Sequence, residues 1–194
     1  MKQIFSKLAF FFILLNVCSL SAETTVEVRA AAFFPSAHKF RNIYGNVNAS
    51  YSIEGATSLD FCGCDNSLQA FANFDWFSRH GKSECGHDST RVRIGTISVG
   101  AKYVYQFCNG MEAYAGVGPS LCRIWIDNKL QCSSKDKYTR LVGGAVAKVG
   151  VNYYFNECIF VDLFVDYLYQ PAKFHNGWVN IGGFKTGIGI GTRF

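Results

Sequence analysis

The chain has 194 residues, a formal net charge of +5 and 49% hydrophobic residues, which is enough for one domain. The positive surplus is small and the sequence contains no basic run, which argues against a nucleic-acid-binding protein. Nineteen glycines, 18 phenylalanines, ten tyrosines and three tryptophans, with only three prolines, favour β structure.

The first 22 residues have the features of a cleaved secretory signal peptide. Lys2 and Lys7 form a basic start, residues 8–20 (LAFFFILLNVCSL) are an apolar segment too short for a membrane helix, and small residues precede a cleavage site near Ala22. Cleavage removes two lysines and no acid, so the charge falls from +5 to +3. We therefore expect a signal peptide at 1–22 and one domain at 23–194, with no later stretch apolar enough to form a spanning helix.

Eight segments after the leader alternate between apolar and polar residues with a period of two. They lie at 24–34, 46–55, about 68–78, 97–107, about 111–126, 139–155, 158–169 and about 178–194. The third alternates poorly, and its facing is left open. No helix is expected between the segments, and eight of them in succession favour an antiparallel sheet.

The two faces of these segments differ in a way that indicates which one meets lipid. The seventh, for example, opposes Ile159, Leu163 and Val165 to Asp162 and Asp166. A closed eight-stranded barrel has a narrow interior, so we expect glycines and a few paired charges inside it, with no room for stacked tyrosine and phenylalanine rings. The sequence therefore predicts a transmembrane β-barrel that turns its apolar faces outward.

Connection lengths predict how this barrel is oriented. The connections at 108–110 and 156–157 are short, whereas those at 79–90, 127–138 and 170–177 are longer. Bacterial barrels have short periplasmic turns and longer outer loops, so the first strand should start in the periplasm, with a long insert at 56–67 as the exception. Aromatic residues then form two belts. The periplasmic belt contains Tyr103, Tyr105, Phe107, Tyr153, Phe155 and Phe194, and the outer belt contains Phe34, Trp125, Tyr167 and Tyr169.

The last eight residues, GIGIGTRF, alternate glycine with other residues and stop on Phe194. Such glycines suit a narrow lumen and a strand that must curve to close the barrel. A final strand of this type resembles the C-terminal signal of bacterial outer-membrane barrels, which the outer-membrane assembly machinery reads. Gly189, Ile190 and Phe194 match that signal, and Thr192 departs from it.

The whole mature chain resembles the small eight-stranded barrels of the OmpA-type and OmpW-type group. Segments 40–45 (FRNIYG), 163–170 (LFVDYLYQ) and the terminal GIGIGTRF are also similar to barrels of chlamydia-related bacteria. The resemblance implies a bacterial outer-membrane location, with the lipid bilayer and the assembly machinery as partners.

Charged residues on the inner faces have two interpretations, a solute-selective polar pore or a salt-bridged plug. They are Glu27, Arg29, Glu54, Lys102, Glu112, Lys148, Asp162, Asp166, Lys185 and Arg193. We favour the plug, because the lumen is narrow and buried charges must pair. Lys148 and Lys185, on the two neighbouring segments, are the expected partners of Asp162 and Asp166.

Seven cysteines follow the leader, and a secreted chain with so many is expected to form disulfides. The topology places Cys62, Cys64, Cys108 and Cys158 on the periplasmic side, Cys85 and Cys132 in outer loops, and Cys122 within the fifth strand. Pairing within the chain is favoured, and Cys122 is expected to remain a thiol. Cross-links to other envelope proteins, which the chlamydial resemblance implies, are the alternative.

Metal and enzyme interpretations are weak. Neither Cys62-Gly63-Cys64 nor Cys85-Gly86-His87 has a strong zinc spacing. His87 and Ser89 resemble the His-x-Ser pair of lipid A deacylase barrels, but no acidic residue follows before Glu112. We therefore expect no metal, no cofactor and no catalysis. The favoured function is structural or surface interaction, the alternative is a narrow channel or a conduit for small hydrophobic ligands, and a lipid-modifying enzyme is the remote alternative.

Overall fold

A computed structural model describes residues 23–59, 66–82, 89–107, 110–128, 136–174 and 177–194. Within these ranges the chain forms ten strands and one helix. They are β1 (Thr24–Pro35), α1 (His38–Tyr44), β2 (Asn48–Leu59), β3 (Asn66–Lys82), β4 (Ser89–Phe107), β5 (Met111–Asn128), β6 (Asp136–Tyr154), β7 (Ile159–Tyr169), β8 (Pro171–Phe174), β9 (Gly177–Asn180) and β10 (Gly183–Arg193). In the described part of the chain, no helix has the length and apolar character needed to cross a bilayer.

Eight of the strands form one closed antiparallel barrel. Their order around it is β1-β10-β7-β6-β5-β4-β3-β2, so β10 closes the barrel by pairing with β1 from Thr25↔Arg193 to Pro35↔Gly183. The predicted fold class, an eight-stranded antiparallel barrel, is confirmed.

Several boundaries differ from the predicted ones, because the pairing of strands, which the sequence alternation does not show, decides where each strand ends. The insert expected at 56–67 is strand at both of its described ends, 56–59 and 66–67, since β2 and β3 still pair at Leu59↔Leu68. The last strand was expected from about 178 but begins at Gly183. Residues 177–180 instead form β9, which pairs with β8 in a separate hairpin.

Helix α1 was not predicted and lies in the connection between β1 and β2. Phe40, Ile43 and Tyr44 have the i, i+3, i+4 spacing of one helical face, and this face packs on buried residues of the barrel. The helix ends at Tyr44 and is capped by Gly45, whose positive φ of 94° suits glycine and whose amide donates to the Arg41 carbonyl over 2.8 Å.

Burial alternates along the barrel strands, with apolar side chains exposed on the outer wall. On β7, Phe160, Asp162 and Phe164 are buried while Leu163 and Val165 are exposed. Exposed aromatic residues lie toward both ends of the wall, including Tyr103, Tyr105 and Phe107 at one end and Phe34 and Tyr169 at the other. An exposed apolar wall with aromatic ends is what a barrel in a bilayer requires.

The expectation that no large ring fits inside was wrong. Phe71, Tyr114, Phe160 and Phe164 are all buried in the interior. Glycines on neighbouring strands make the space for them, since a Cβ added to Gly100 would meet Phe71 Cε1 at 2.9 Å and one added to Gly191 would meet Phe160 Cε1 at 2.8 Å. The small residues therefore complement rings rather than leaving the lumen open.

Candidate functional site

We name the two ends of the barrel by the orientation that the connection lengths predict. The periplasmic end carries the short β4–β5 and β6–β7 turns, and the outer end carries α1 and the β8–β9 hairpin. Between these ends, the side chains of the interior form three layers.

The central charge network is organised by Arg29 of β1, whose side chain is fully buried. Its Nη2 lies 2.5 Å from Glu27 Oε1 and 2.9 Å from Asp162 Oδ2, and its Nη1 lies 3.0 Å from Glu54 Oε2. One guanidinium thus joins carboxylates from β1, β2 and β7. Its planar group of five donors suits such a hub better than a lysine ammonium does.

Two lysines complete the network. Lys102 Nζ lies 3.2 Å from Glu54 Oε1, and Lys148 contacts Glu54 and lies 3.3 Å from Asp166 Oδ2. The Tyr114 hydroxyl accepts a hydrogen bond from Arg29 over 3.0 Å and donates to Asp162 Oδ1 over 3.0 Å. Strands from most of the barrel wall are therefore linked through paired charges.

Lys148 pairs with Asp166 as expected, but Lys185 does not pair with Asp162 or Asp166. Its Nζ lies 2.7 Å from Oδ1 of Asp75 on β3. Arg29 has taken the position expected of Lys185 beside Asp162. Sequence reasoning missed Asp75 because rings occupy both faces of β3, which hides the alternation, and it missed Tyr114 because rings were expected only outside.

The periplasmic layer is smaller. Arg193 of β10 contacts Glu112 and the Tyr154 hydroxyl, and this hydroxyl donates to Glu112 Oε2 over 3.0 Å. Arg193 also lies 3.7 Å from Glu23. The charges predicted at this end thus pair with each other.

The outer core is an apolar cluster that fills the interior at the outer end. Its buried residues are Phe33, Tyr44, Phe77, Val92, Ile94, Cys122, Ile124, Val142, Ala172 and Ile181. Helix α1 contributes Tyr44, whose hydroxyl lies 3.2 Å from Thr90 Oγ1, while burial raises the pKa of this phenol. The described strands thus enclose a core that is apolar at the outer end, charged in the middle and polar at the periplasmic end.

The described residues contain two cysteines, Cys122 and Cys158, and no disulfide joins them. Cys122 is buried in the outer core and Cys158 is exposed after the β6–β7 turn. The other candidates, Cys62, Cys64, Cys85, Cys108 and Cys132, lie outside the described residues, as does His87. Ser89 is the first residue of β4. The described residues contain no group of three metal-ligating side chains.

The residues of the predicted assembly signal lie on β10 and at its end. Gly189 is buried on the inner face, Ile190 is exposed on the outer wall, and the Phe194 side chain is 74% exposed. The Phe194 amide donates to the Thr24 carbonyl over 2.9 Å, which ties the last residue to β1.

Surface charge differs sharply between the two ends. The charged residues at the outer end whose side chains the structure describes are the basic Arg41, Arg79, Arg91, Arg93, Arg123, Arg140 and Lys173 and the acidic Asp127. At the periplasmic end, Glu23 and Glu157 are exposed, while Arg193 is partly buried and pairs with the buried Glu112. Asp127 pairs with Arg93 over 2.6 Å, so this one acidic side chain neutralises a single member of the basic rim.

No protein-family model matches the chain, and no curated protein matches it. Solved structures do. OprG, an outer membrane protein of Pseudomonas aeruginosa, is similar with a TM-score of 0.61 at 10% identity, over 89% of this chain and 96% of that one. Neisserial surface protein A matches with a TM-score of 0.58 at 16% identity, over 89% and 96%.

A third similar structure is Ail, the attachment invasion locus protein of Yersinia pestis, in complex with the heparin analogue sucrose octasulfate. Its TM-score is 0.58 at 12% identity, over 90% of this chain and 100% of that one. At such low identities, the structural similarity shows the fold alone. The predicted bacterial outer-membrane location agrees with these neighbours, whereas the further likeness to chlamydial barrels finds no support among them. The chain has the fold of the small eight-stranded outer-membrane β-barrels.

Proposed function

We propose that this chain is a closed outer-membrane barrel that acts through its outer surface and does not conduct solutes. The observation that carries the proposal is the combination at the outer end. The outer core fills the barrel there, while basic side chains surround the same end on the outside. The basic rim is therefore available to bind a partner, whereas the filled lumen leaves no path for solutes.

The predicted alternatives fit this interior less well. A channel or a conduit for small hydrophobic ligands requires a path past Arg29, whose guanidinium is held by carboxylates from three strands. Separating one partner from such a buried cluster leaves an unpaired charge, which is strongly unfavourable. For a lipid-modifying enzyme, the sequence supplies His87 and Ser89 but no acidic residue between them and Glu112 to orient the histidine.

The partner class that fits the basic rim is a polyanion. Exposed arginines and lysines attract a line of negative charges and release its counterions, which gives strongly salt-dependent binding. The complex of Ail with a heparin analogue supports this choice, since that barrel has the same fold. The proposal also includes assembly through the C-terminal signal at Phe194 and insertion of the barrel in the lipid bilayer.

We also propose that any disulfides form within one end of the barrel. The Tyr154 amide donates to the Gly110 carbonyl over 2.8 Å, so the two short periplasmic turns that carry Cys108 and Cys158 are neighbours. Cysteines at the two ends are separated by the length of the strands, which exceeds the reach of a disulfide.

A binding titration tests the function. Purified barrel in lipid nanodiscs is titrated with dextran sulfate at about 50 mM and about 200 mM salt, and we expect affinity to fall steeply with salt. The combined variant Arg79→Gln, Arg91→Gln, Arg123→Gln should weaken binding at least about tenfold. Glu157→Gln, which removes a charge from the periplasmic end, is the matched control and should change nothing. Binding that ignores both salt and the three substitutions would overturn the proposal.

A further inference from the structure

The β8–β9 hairpin places an exposed tryptophan beside an exposed lysine at the outer end. Lys173 and Trp178 are direct cross-strand partners, so their side chains share one face of the hairpin. Lys173 is exposed, and Trp178 is 70% exposed. The pair lies beyond Tyr169, the last residue of the outer aromatic belt on β7.

The hairpin is fastened to the barrel at its base. Ala172 and Ile181 are buried in the outer core. The Asn180 carboxamide oxygen accepts hydrogen bonds from the Gln170 amide over 2.8 Å and the Gly182 amide over 3.0 Å, which closes the hairpin. Its nitrogen lies 3.3 Å from the Tyr167 hydroxyl, to which it donates.

A second attachment comes from β6. Arg140 donates to the backbone carbonyl of Lys173, which fixes the strand that carries the lysine. The backbone on both sides of the pair is held in place. Binding of a partner to Lys173 and Trp178 therefore costs little further conformational entropy.

An apolar ring face beside an ammonium suits one kind of anion in particular. The indole of tryptophan offers a flat apolar face, on which the C–H face of a sugar ring can stack. Lys173 and the arginines of the basic rim can then neutralise sulfate or carboxylate groups on the same or neighbouring sugars. A polyphosphate supplies the charge without any ring to stack.

We propose that the β8–β9 hairpin is a recognition site for an anionic glycan, in which Trp178 stacks on a sugar ring and Lys173 binds an acidic substituent. This inference rests on the proposed polyanion binding and names the class of partner. It predicts that Trp178 contributes to glycan binding specifically, whereas the arginines contribute to all polyanions alike.

The test compares two probes, dextran sulfate and inorganic polyphosphate, on the full barrel in nanodiscs. Trp178→Ala should weaken dextran sulfate binding roughly five- to tenfold and polyphosphate binding by less than about twofold. Trp178→Phe should restore much of the loss. Arg79→Gln is the matched control, since β3 lies on the opposite side of the barrel from the hairpin, and it should weaken both probes equally.

The outcomes separate the two proposals. If Trp178→Ala leaves the ratio of the two affinities unchanged, the glycan site is wrong while polyanion binding stands. If the wild-type barrel binds neither probe, the proposed function fails and the site with it. A barrel carrying Trp76→Phe and Trp125→Phe retains Trp178 as its only tryptophan, whose emission should shift on adding dextran sulfate. Quenching of that emission by brominated lipids instead would identify a membrane anchor and overturn the inference.

Discussion

Arg29 on β1 and Glu54 on β2 form an ion pair in the middle of the barrel, with Nη1 3.0 Å from Oε2 and both side chains at most 1% exposed. Glu54 also contacts Lys102 and Lys148 from β4 and β6, so one carboxylate and one guanidinium connect opposite parts of the wall. These ion pairs connect strands across the interior of the barrel, which is why we interpret the polar interior as a salt-bridged plug.

Arg29→Met tests whether these ion pairs stabilise the barrel. The substitution keeps the volume but leaves Glu27, Glu54 and Asp162 without their shared partner, so we expect the free energy of unfolding in urea to fall by ~3–5 kcal/mol. Arg123→Met, on the exposed outer surface, is the control and should change stability little. Equal stabilities of the two variants would show that the central pairs do not hold the barrel together.

The glycines of the last strand give a second prediction. Gly191→Val places methyl groups where a Cβ already meets Glu27 Cβ and Phe160 Cε1 at 2.8 Å, so we expect a loss of about 1–3 kcal/mol through overpacking. Gly143→Ala, where a Cβ meets nothing within 4 Å, should be tolerated. Urea unfolding of the two variants gives the comparison, and a stable Gly191→Val barrel would contradict the ring–glycine packing.

Deleting Phe194 should separate assembly from stability. The ring is 74% exposed, so its loss removes little packing, and the refolded barrel should lose no more than the roughly 1–3 kcal/mol of the two backbone hydrogen bonds that Phe194 makes with Thr24. The yield of barrel in the outer membrane of cells should nevertheless fall, with secretion across the inner membrane unchanged, because the assembly machinery loses its signal. Normal yield of the truncated chain would count against the signal.

Disulfide mapping tests the sidedness of the cysteines. Mass spectrometry of the non-reduced protein should find bonds within the set Cys62, Cys64, Cys108 and Cys158 or between Cys85 and Cys132. Cys122 should remain a thiol that maleimide labels only after unfolding, since it is buried in the outer core. A bond such as Cys62–Cys132 would contradict the strand arrangement. Oligomers that dissociate when a reductant is added would favour cross-links to other envelope proteins.

The faces of the strands were predictable from the sequence because side chains alternate strictly along a strand. Val165 and Asp166, for example, fall on opposite faces whatever the length of β7. The partner of each inner charge was not predictable in the same way, because strand tilt and stagger decide which residues lie at one height. Lys185 is level with Asp166 in the strand register yet pairs with Asp75 across the interior.

The missed elements have local causes. Helix α1 is only seven residues long, and its apolar face is defined by contact with the barrel, so a search for period-two segments passes over it. Strand β9 was absorbed into the last predicted strand, because Trp178 and Val179 have high strand propensity, while β8 was assigned to the outer connection predicted at 170–177. The hydrogen bonds of Asn180 that end this hairpin depend on tertiary position rather than on local sequence.

Single-channel recording in planar bilayers tests the central claim, that the interior is closed, most directly. Wild-type barrel inserted at known density should give no reproducible conductance steps across a range of voltages, because the outer core and the central charge network fill the lumen. Stable steps of one size, seen in every preparation, would contradict the closed barrel and restore the channel interpretation.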